Sequence, residues 1–153
     1  MDYGRLDIEI DGEVTRVSLW DTYSGPDHMR ERLRPLCYPG TYGFLVCFAL
    51  DDSSSLKSVI EKWKPEINHH NDPSTPLFLI GCKKDIRDGW VDLSRTHVTT
   101  EIGSQTAQTI KAHMYLECSA QTGEGVREVF RQALEAVKHY EIPLKRRSTC
   151  IVA

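Results

Sequence analysis

Three short stretches carry residue types able to recognise a nucleotide: Trp20-Asp21-Thr22, Cys82-Lys83-Lys84-Asp85 and Cys118-Ser119-Ala120-Gln121. A planar base that displays a ring N–H beside an amino group needs a carboxylate acceptor, and Asp85 can take both donors. The stem of Lys83 can lie along the face of such a base. Backbone N–H groups of Ser119 and Ala120 can donate to a base carbonyl. Asp21 can hold a water on Mg²⁺, which prefers carboxylate and water oxygens. Each stretch also has a plain reading: a strand exit at Asp21, a solvated charge run at Lys83-Lys84-Asp85, a simple turn at Ser119-Ala120. Their weight comes from falling together, at the ends of successive strands.

Those strands are read from apolar pattern. Asp7 to Ile10 and Val14 to Trp20 alternate on either side of Asp11-Gly12, which predicts a β-hairpin. Gly43 to Leu50 and Pro76 to Cys82 are apolar runs too short for a typical helix, as expected of strands buried on both faces. MYLECSA, ending at Ala120, is a third. Between them, Leu56, Val59, Ile60 and Trp63 recur at helical spacing, with Pro65 near the expected end. Thr99 or Thr100 caps a helix reaching to about His113. Val126, Val129, Phe130, Ala133, Leu134 and Val137 form one apolar stripe of a last helix. Arg30 to Leu36 reads as a short helix closed by Pro35 and Pro39. Strands alternating with helices predict an α/β fold in three layers, a mostly parallel sheet with an N-terminal antiparallel hairpin. In such sheets ligands sit beyond the carboxyl ends of the strands, where the three stretches lie.

The 153 residues suit one domain, expected over residues 1–142, with a basic, mobile tail at 143–153. A net charge of −3, with no basic stripe, gives no reason to expect nucleic acid as a partner. The polar start, MDYGRLDIEIDGE, does not fit a secretory signal. Five cysteines without paired spacing point to a reducing compartment. His69-His70 falls in a polar stretch, NHHNDPST, without Cys or His at ligand spacing, and reads as a solvated loop.

With DIEIDG, WDT, RLRPLCYPGT, EKWKPEI, IGCKKDIRDG and YLECSAQTGEGVREVF in this order, the sequence resembles the Rho family of Ras-superfamily small GTPases. The resemblance runs from about Asp7 to the C-terminus. It implies a P-loop GTPase-type fold and a guanine-nucleotide switch that binds GTP or GDP with Mg²⁺, hydrolyses GTP, and meets effector and regulator proteins. Carried over residue by residue, it assigns Lys83 and Asp85 to the base, Ser119, Ala120 and Gln121 to the base carbonyl, and Asp21 to Mg²⁺ through water.

The sequence departs from the family pattern in four places. No Gln follows the glycine expected after Asp21: Gly25 or Ser24 takes that place and Gly25 or Pro26 comes next, so no catalytic residue is assigned. Cys82 stands where Asn or Thr is usual. Gln121 stands where Lys is usual, though a backbone contact survives that change. Nowhere is there a GxxxxGK followed by Ser or Thr to cradle phosphates. The family's first strand, phosphate loop and first helix have no counterpart, and the first strand normally fills the centre of the sheet. The expectation is an incomplete copy of a longer protein, with Met1 internal or mis-assigned as the start. The alternative is a Rho-like interaction protein that neither hydrolyses nor tightly binds nucleotide.

The last four residues, Cys150-Ile151-Val152-Ala153, form a C-a-a-X box whose terminal Ala tends toward farnesylation of Cys150. Lys145, Arg146 and Arg147 just upstream supply charge for an anionic lipid surface. Together they predict a prenylated protein on the cytoplasmic face of membranes, the plasma membrane above all, with a cytosolic pool.

Overall fold

The computed structural model describes residues 2–10, 12–22, 32–89, 97–139 and 151–152. Strands β1 (Asp2–Ile10) and β2 (Glu13–Thr22) form the expected antiparallel hairpin, longer at both ends than the alternation alone suggests. Its turn uses Gly12 at φ 78°, a left-handed conformation that glycine adopts without a Cβ penalty. Parallel strands follow at β3 (Phe44–Ala49), β4 (Leu77–Cys82) and β5 (Met114–Glu117). A two-residue strand, β6 (Ile151–Val152), lies between β2 and β3, so the sheet order is β1-β2-β6-β3-β4-β5. Two residues of the expected mobile tail are therefore a sheet element. They occupy the gap that the absence of a central strand would otherwise leave.

Helices cover both faces. Helix α1 (Ser53–Ser58) is capped by the Asp52 carboxylate, which accepts from the Ser54 N–H at 2.9 Å. It passes through a π-helical segment (Val59–Trp63) directly into α2 (Lys64–His70). The helical run thus does not stop near Pro65. The Lys64 N–H bonds back to the Val59 carbonyl, and this wider turn precedes the residue that has no N–H to give. His69 and His70 accordingly end a helix rather than sit in a loop. Short α3 (Lys84–Asp88) follows β4; α4 (Thr100–Thr109) and α5 (Val126–His139) follow in turn. Arg32 and Leu33 are helical and run into a 3₁₀ turn at Arg34–Cys37, so the expected short helix is present with Pro35 inside its last turn rather than at its close.

Strand alternation splits the core. Phe44, Val46, Phe48, Leu77 and Leu79 pack with Leu56, Val59, Trp63, Ile67, Ala107 and Ile110 on one face. Leu45, Phe78, Ile80 and Cys118 pack with Val129, Ala133 and Ala136 of α5 on the other. Two-sided burial explains why β3 and β4 read as continuous apolar runs.

One buried charge ties the segment before β3 to α2. Arg34 is only 1% exposed, and its guanidinium forks onto Glu66, with Nε at 2.7 Å from Oε1 and Nη2 at 2.6 Å from Oε2. The Tyr38 hydroxyl donates to the same carboxylate at 2.5 Å, and the guanidinium lies 4.6 Å from the centre of the Trp63 ring. Replacing Glu66 removes the carboxylate that balances a desolvated cation. Glu66→Ala is expected to cost about 3–5 kcal/mol in urea unfolding. Lys57→Ala, which breaks only an exposed pair 3.7 Å from Glu61, should stay within about 0.5 kcal/mol of the parent.

Candidate functional site

The carboxyl ends of β4 and β5 are locked together by main-chain bonds. The Cys118 N–H donates to the Gly81 carbonyl at 2.8 Å, and the Lys84 N–H donates to the Cys118 carbonyl at 3.1 Å. This register brings the Cys82-to-Asp85 loop beside the Cys118-to-Gln121 loop. Between them opens a cleft of about 480 Å³ lined by Cys82, Lys83, Asp85, Ile86, Cys118, Ala120 and Gln121.

Inside the cleft wall, Ser119 is fully buried and its hydroxyl donates to Asp85 Oδ1 at 2.5 Å. The same oxygen of Ser119 accepts the Thr122 N–H at 3.1 Å, and the Ser119 N–H donates to the Glu124 carbonyl at 2.9 Å. Ser119 is thus a strut: it aims Asp85 and folds the loop that presents Ala120 and Gln121 at the surface. Asp85 Oδ2 is left for a ligand. Gly125 closes this loop at φ 73°, where an added Cβ would stand 2.4 Å from the Glu117 carbonyl oxygen. No other residue fits there without moving the strand.

Lys83 adopts φ 62°, ψ 38°, a left-handed conformation that costs a residue with a Cβ about 1–2 kcal/mol. Its ammonium reaches back to Asp51 at the exit of β3, at 3.1 Å from Oδ1 and 3.2 Å from Oδ2. The charge is held outside the cleft while the residue itself remains in the lining, as a base-facing stem requires. In Cys82, the hydrogen bond with Cys118 draws the thiol pKa down, but Cys47 and burial outweigh it and push the value up to about 12. A neutral thiol therefore stands where the family has a hydrogen-bonding side chain.

A second network supports the cleft from below, and the sequence reading missed it. Arg87 forks onto Glu117 with two contacts of 2.7 Å, and Glu117 also accepts from the Tyr115 hydroxyl at 2.7 Å and Thr100 Oγ1 at 3.0 Å. The signal available was a charged Glu117 inside a strand otherwise due for burial.

Asp21 is placed differently. Because β2, β6 and β3 run parallel, it points toward the same end of the sheet as Asp85. Yet β2 lies three strand steps from β4, about 14 Å. Thr22 is level with Val46 through their common partner Val152, which sets Asp21 four residues, about 13 Å, short of the end of β3. The structure therefore gathers Lys83, Asp85, Ser119, Ala120 and Gln121 and leaves Asp21 outside their cleft. Beside it, Thr22 is 2% exposed with its hydroxyl unpartnered among the described residues. Gly25, Ser24 and Pro26, residues 90–96, and Lys145, Arg146, Arg147 and Cys150 lie outside the described residues.

The cleft gathers a carboxylate with one oxygen outside the Ser119 bond, loop backbone beside it, and an aliphatic stem, a donor and acceptor set that could meet a planar base. For the metal, Asp21 is the side chain that the resemblance supplies. Mg²⁺ is normally shared between one or two carboxylates and phosphate oxygens held elsewhere. Among the described residues no cluster of three or more His, Cys, Asp or Glu offers a metal site, and no glycine-rich lysine loop is present in the sequence.

Comparison with known proteins agrees with the fold. A family model described as Ras family matches residues 1–139. Over 141 residues the chain is 47% identical to the GTP-binding protein rho1 of Schizosaccharomyces pombe, covering 87% of this chain and 68% of that protein. Over 152 residues it is 41% identical to the GTP-binding protein RHO1 of Candida albicans, covering 95% and 75%. The chain belongs to the Ras family. Its fungal relatives narrow the class to the Rho-type small GTPases, the branch expected from RLRPLCYPGT and EKWKPEI.

The Glu117 network makes stability pH-dependent. Burial alone would raise the Glu117 carboxyl, but hydrogen bonds from Arg87, Tyr115 and Thr100 outweigh it and hold it below its ordinary value of 4.5. A depressed carboxyl adds stability above its unfolded pKa and loses it as pH falls through the folded one. Glu117→Gln is expected to lower unfolding free energy at pH 7 by about 1.5–3 kcal/mol. The gap between variant and parent should narrow in urea titrations run below about pH 4.5.

Proposed function

We propose that this Rho-type signalling switch recognises the base of a guanine nucleotide through the cleft between the β4 and β5 loops. Asp85 accepts one of the two donors, the ring N–H and the amino group, at Oδ2 and the other at the second lone pair of Oδ1, which already takes the Ser119 hydroxyl. Backbone N–H groups at Ala120 and Gln121 meet the base carbonyl, the Lys83 stem covers one face, and Ser119, whose own N–H is committed to Glu124, acts by aiming Asp85. The observation that carries this reading is the Ser119–Asp85 hydrogen bond, which aims a carboxylate into a cleft already bounded by loop backbone. Both fungal relatives are named as GTP-binding proteins. Asp21 is the proposed contact to Mg²⁺ through water. When bound with GTP or GDP, the metal would neutralise phosphate charge. This chain contributes one carboxylate to that role and no side chain that positions an attacking water.

The proposal separates base recognition from phosphate grip. In titrations of the whole chain with fluorescent GDP, binding is expected to be weaker than submicromolar and nearly indifferent to removal of Mg²⁺ by chelation. GDP should still be preferred over ADP. Asp85→Asn, which replaces one acceptor oxygen by a donor, should weaken GDP by about 10- to 100-fold. Submicromolar, Mg²⁺-dependent affinity would show a phosphate grip that this reading lacks. Equal affinity for GDP and ADP would remove the base assignment.

Membrane attachment is proposed through the tail. A thioether on Cys150 gives one lipid chain, a weak anchor alone, and Lys145, Arg146 and Arg147 add attraction to anionic lipid. No described helix is long and apolar enough to cross a membrane. The reading of peripheral attachment at the cytoplasmic face, where effector and regulator proteins would meet the switch, rests on the tail alone. Farnesylated chain should bind vesicles containing phosphatidylserine and release them as salt is raised. Cys150→Ser, treated identically, should stay unbound.

A further inference from the structure

Three thiols sit on the face of the sheet that α5 covers: Cys47 on β3, Cys82 at the end of β4 and Cys118 just past β5. All three are free. Cys82 and Cys118 both line the base cleft. The register decides which pair can react together. Gly81 is level with Glu117, and the Cys118 N–H bonds to the Gly81 carbonyl, so Cys82 and Cys118 face one another across the two strands. Neighbouring strands lie about 4.8 Å apart. That separation is inside the ~4.4–6.8 Å between Cα atoms that a disulfide spans. The two thiols already hydrogen-bond to one another. Cys47 also hydrogen-bonds to Cys82, but it is level with Ile80, two residues back. That offset sets their Cα atoms about 8 Å apart, too far for a bridge without backbone movement. Nor do the three converge on a metal: among the described residues no cluster of three or more His, Cys, Asp or Glu offers such a site.

We propose that Cys82 and Cys118 are a dithiol modification site in the wall of the base cleft, bridged by hydrogen peroxide and shielded when a base occupies the cleft. Cys82 is the more exposed of the two and makes the first attack. Its sulfur, having lost its proton to water, bonds to one peroxide oxygen as the O–O bond breaks. A sulfenic acid forms, and the departing hydroxide takes up a proton and leaves as water. The Cys118 sulfur then bonds to the Cys82 sulfur, the S–O bond breaks, and its hydroxyl leaves with the Cys118 proton as a second water. Two thiols lose two electrons and one hydrogen peroxide gains them. Cys118 directly precedes Ser119, which aims Asp85, and Cys82 directly precedes Lys83, so the bridge joins the two loops at their roots. Both thiols are protonated at neutral pH. The hydrogen bond with Cys82 and burial raise Cys118, and at Cys82 the effects of Cys47 and burial outweigh the lowering by Cys118. The pair is therefore stable as a dithiol in a reducing compartment, and its oxidation quickens as pH rises. The bridge stands on register and thiol contact alone; the shielding rests on the base reading above.

Cross-link mapping tests the site in the whole chain. The protein is treated with hydrogen peroxide, blocked with N-ethylmaleimide and digested with trypsin, which cuts at Lys83 and Lys111 and so separates the two cysteines. The dominant cross-link found by mass spectrometry should join Cys82 to Cys118, and dithiothreitol should remove it. A dominant cross-link to Cys47, or none within the chain, overturns the site. Cys47→Ser should form the bridge at an unchanged rate; loss of the bridge in that variant overturns the pairing. The parent's rate should rise about tenfold per pH unit from about pH 7 to 9, as for a thiol far from titrated. A flat rate overturns Cys82 as the attacking group. Guanosine at about ten times its dissociation constant should slow bridging about tenfold, and adenosine should not. Guanosine that shifts the amide resonances of residues 82–86 and 118–122 yet leaves the rate unchanged overturns the shielding. Guanosine that shifts none of them removes the base reading, and the shielding with it, while the cross-link map still decides the site.

Discussion

The base cleft depends on the register between β4 and β5. Two main-chain bonds, Cys118 N–H to Gly81 and Lys84 N–H to Cys118, fix where one strand ends relative to the other. A slip of one residue would turn Asp85 and Ser119 to opposite faces of the sheet. The packing enforces the register. Gly81 lies so close to Leu50 that an added Cβ would stand 2.8 Å from its Cδ2, and a Cβ on Gly103 would stand 2.2 Å from the Tyr115 ring. These close approaches seat β4 and β5 against α4, and the Arg87–Glu117 fork then holds α3 beneath the cleft. Recognition chemistry is exposed at the rim, but its geometry is set by buried backbone and a buried ion pair.

The two halves of the nucleotide site separate physically. The base half rests on adjacent parallel strands and short loops, tied by the Ser119–Asp85 side-chain bond and by main-chain bonds between the ends of β4 and β5. The phosphate half would need a lysine-bearing glycine loop next to Asp21, and the sequence offers none. What stands next to Asp21 is the chain's own C-terminal strand.

Much of this was legible in the sequence, for reasons that can be named. Buried parallel strands announce themselves as unbroken apolar runs, so Gly43 to Leu50 and Pro76 to Cys82 located β3 and β4. The rule that ligands gather at carboxyl ends then singled out Lys83, Asp85 and Ser119. Other features carry no local signal. Helix α2 continues past Pro65 because a π segment absorbs the missing N–H, and spacing alone could not show that. The burial of Arg34 follows from a partner 32 residues away. Strand β6 has two residues, too few for any periodicity, and it follows a run of lysine and arginine. Only pairing with β2 and β3 makes it a strand. Asp21 was expected at the metal, not at the base, and its place at the same end of the sheet but outside the cleft follows from the register of β2 with β6.

The central claim is that a guanine base is read at the β4–β5 rim without help from a phosphate loop. The most direct measurement is an amide NMR titration of the whole chain with guanosine, which has no phosphate at all. Shifts confined to residues 82–86 and 118–122, abolished when adenosine replaces guanosine, are the predicted result. Shifts absent from those loops, or the same shifts with both nucleosides, would contradict it.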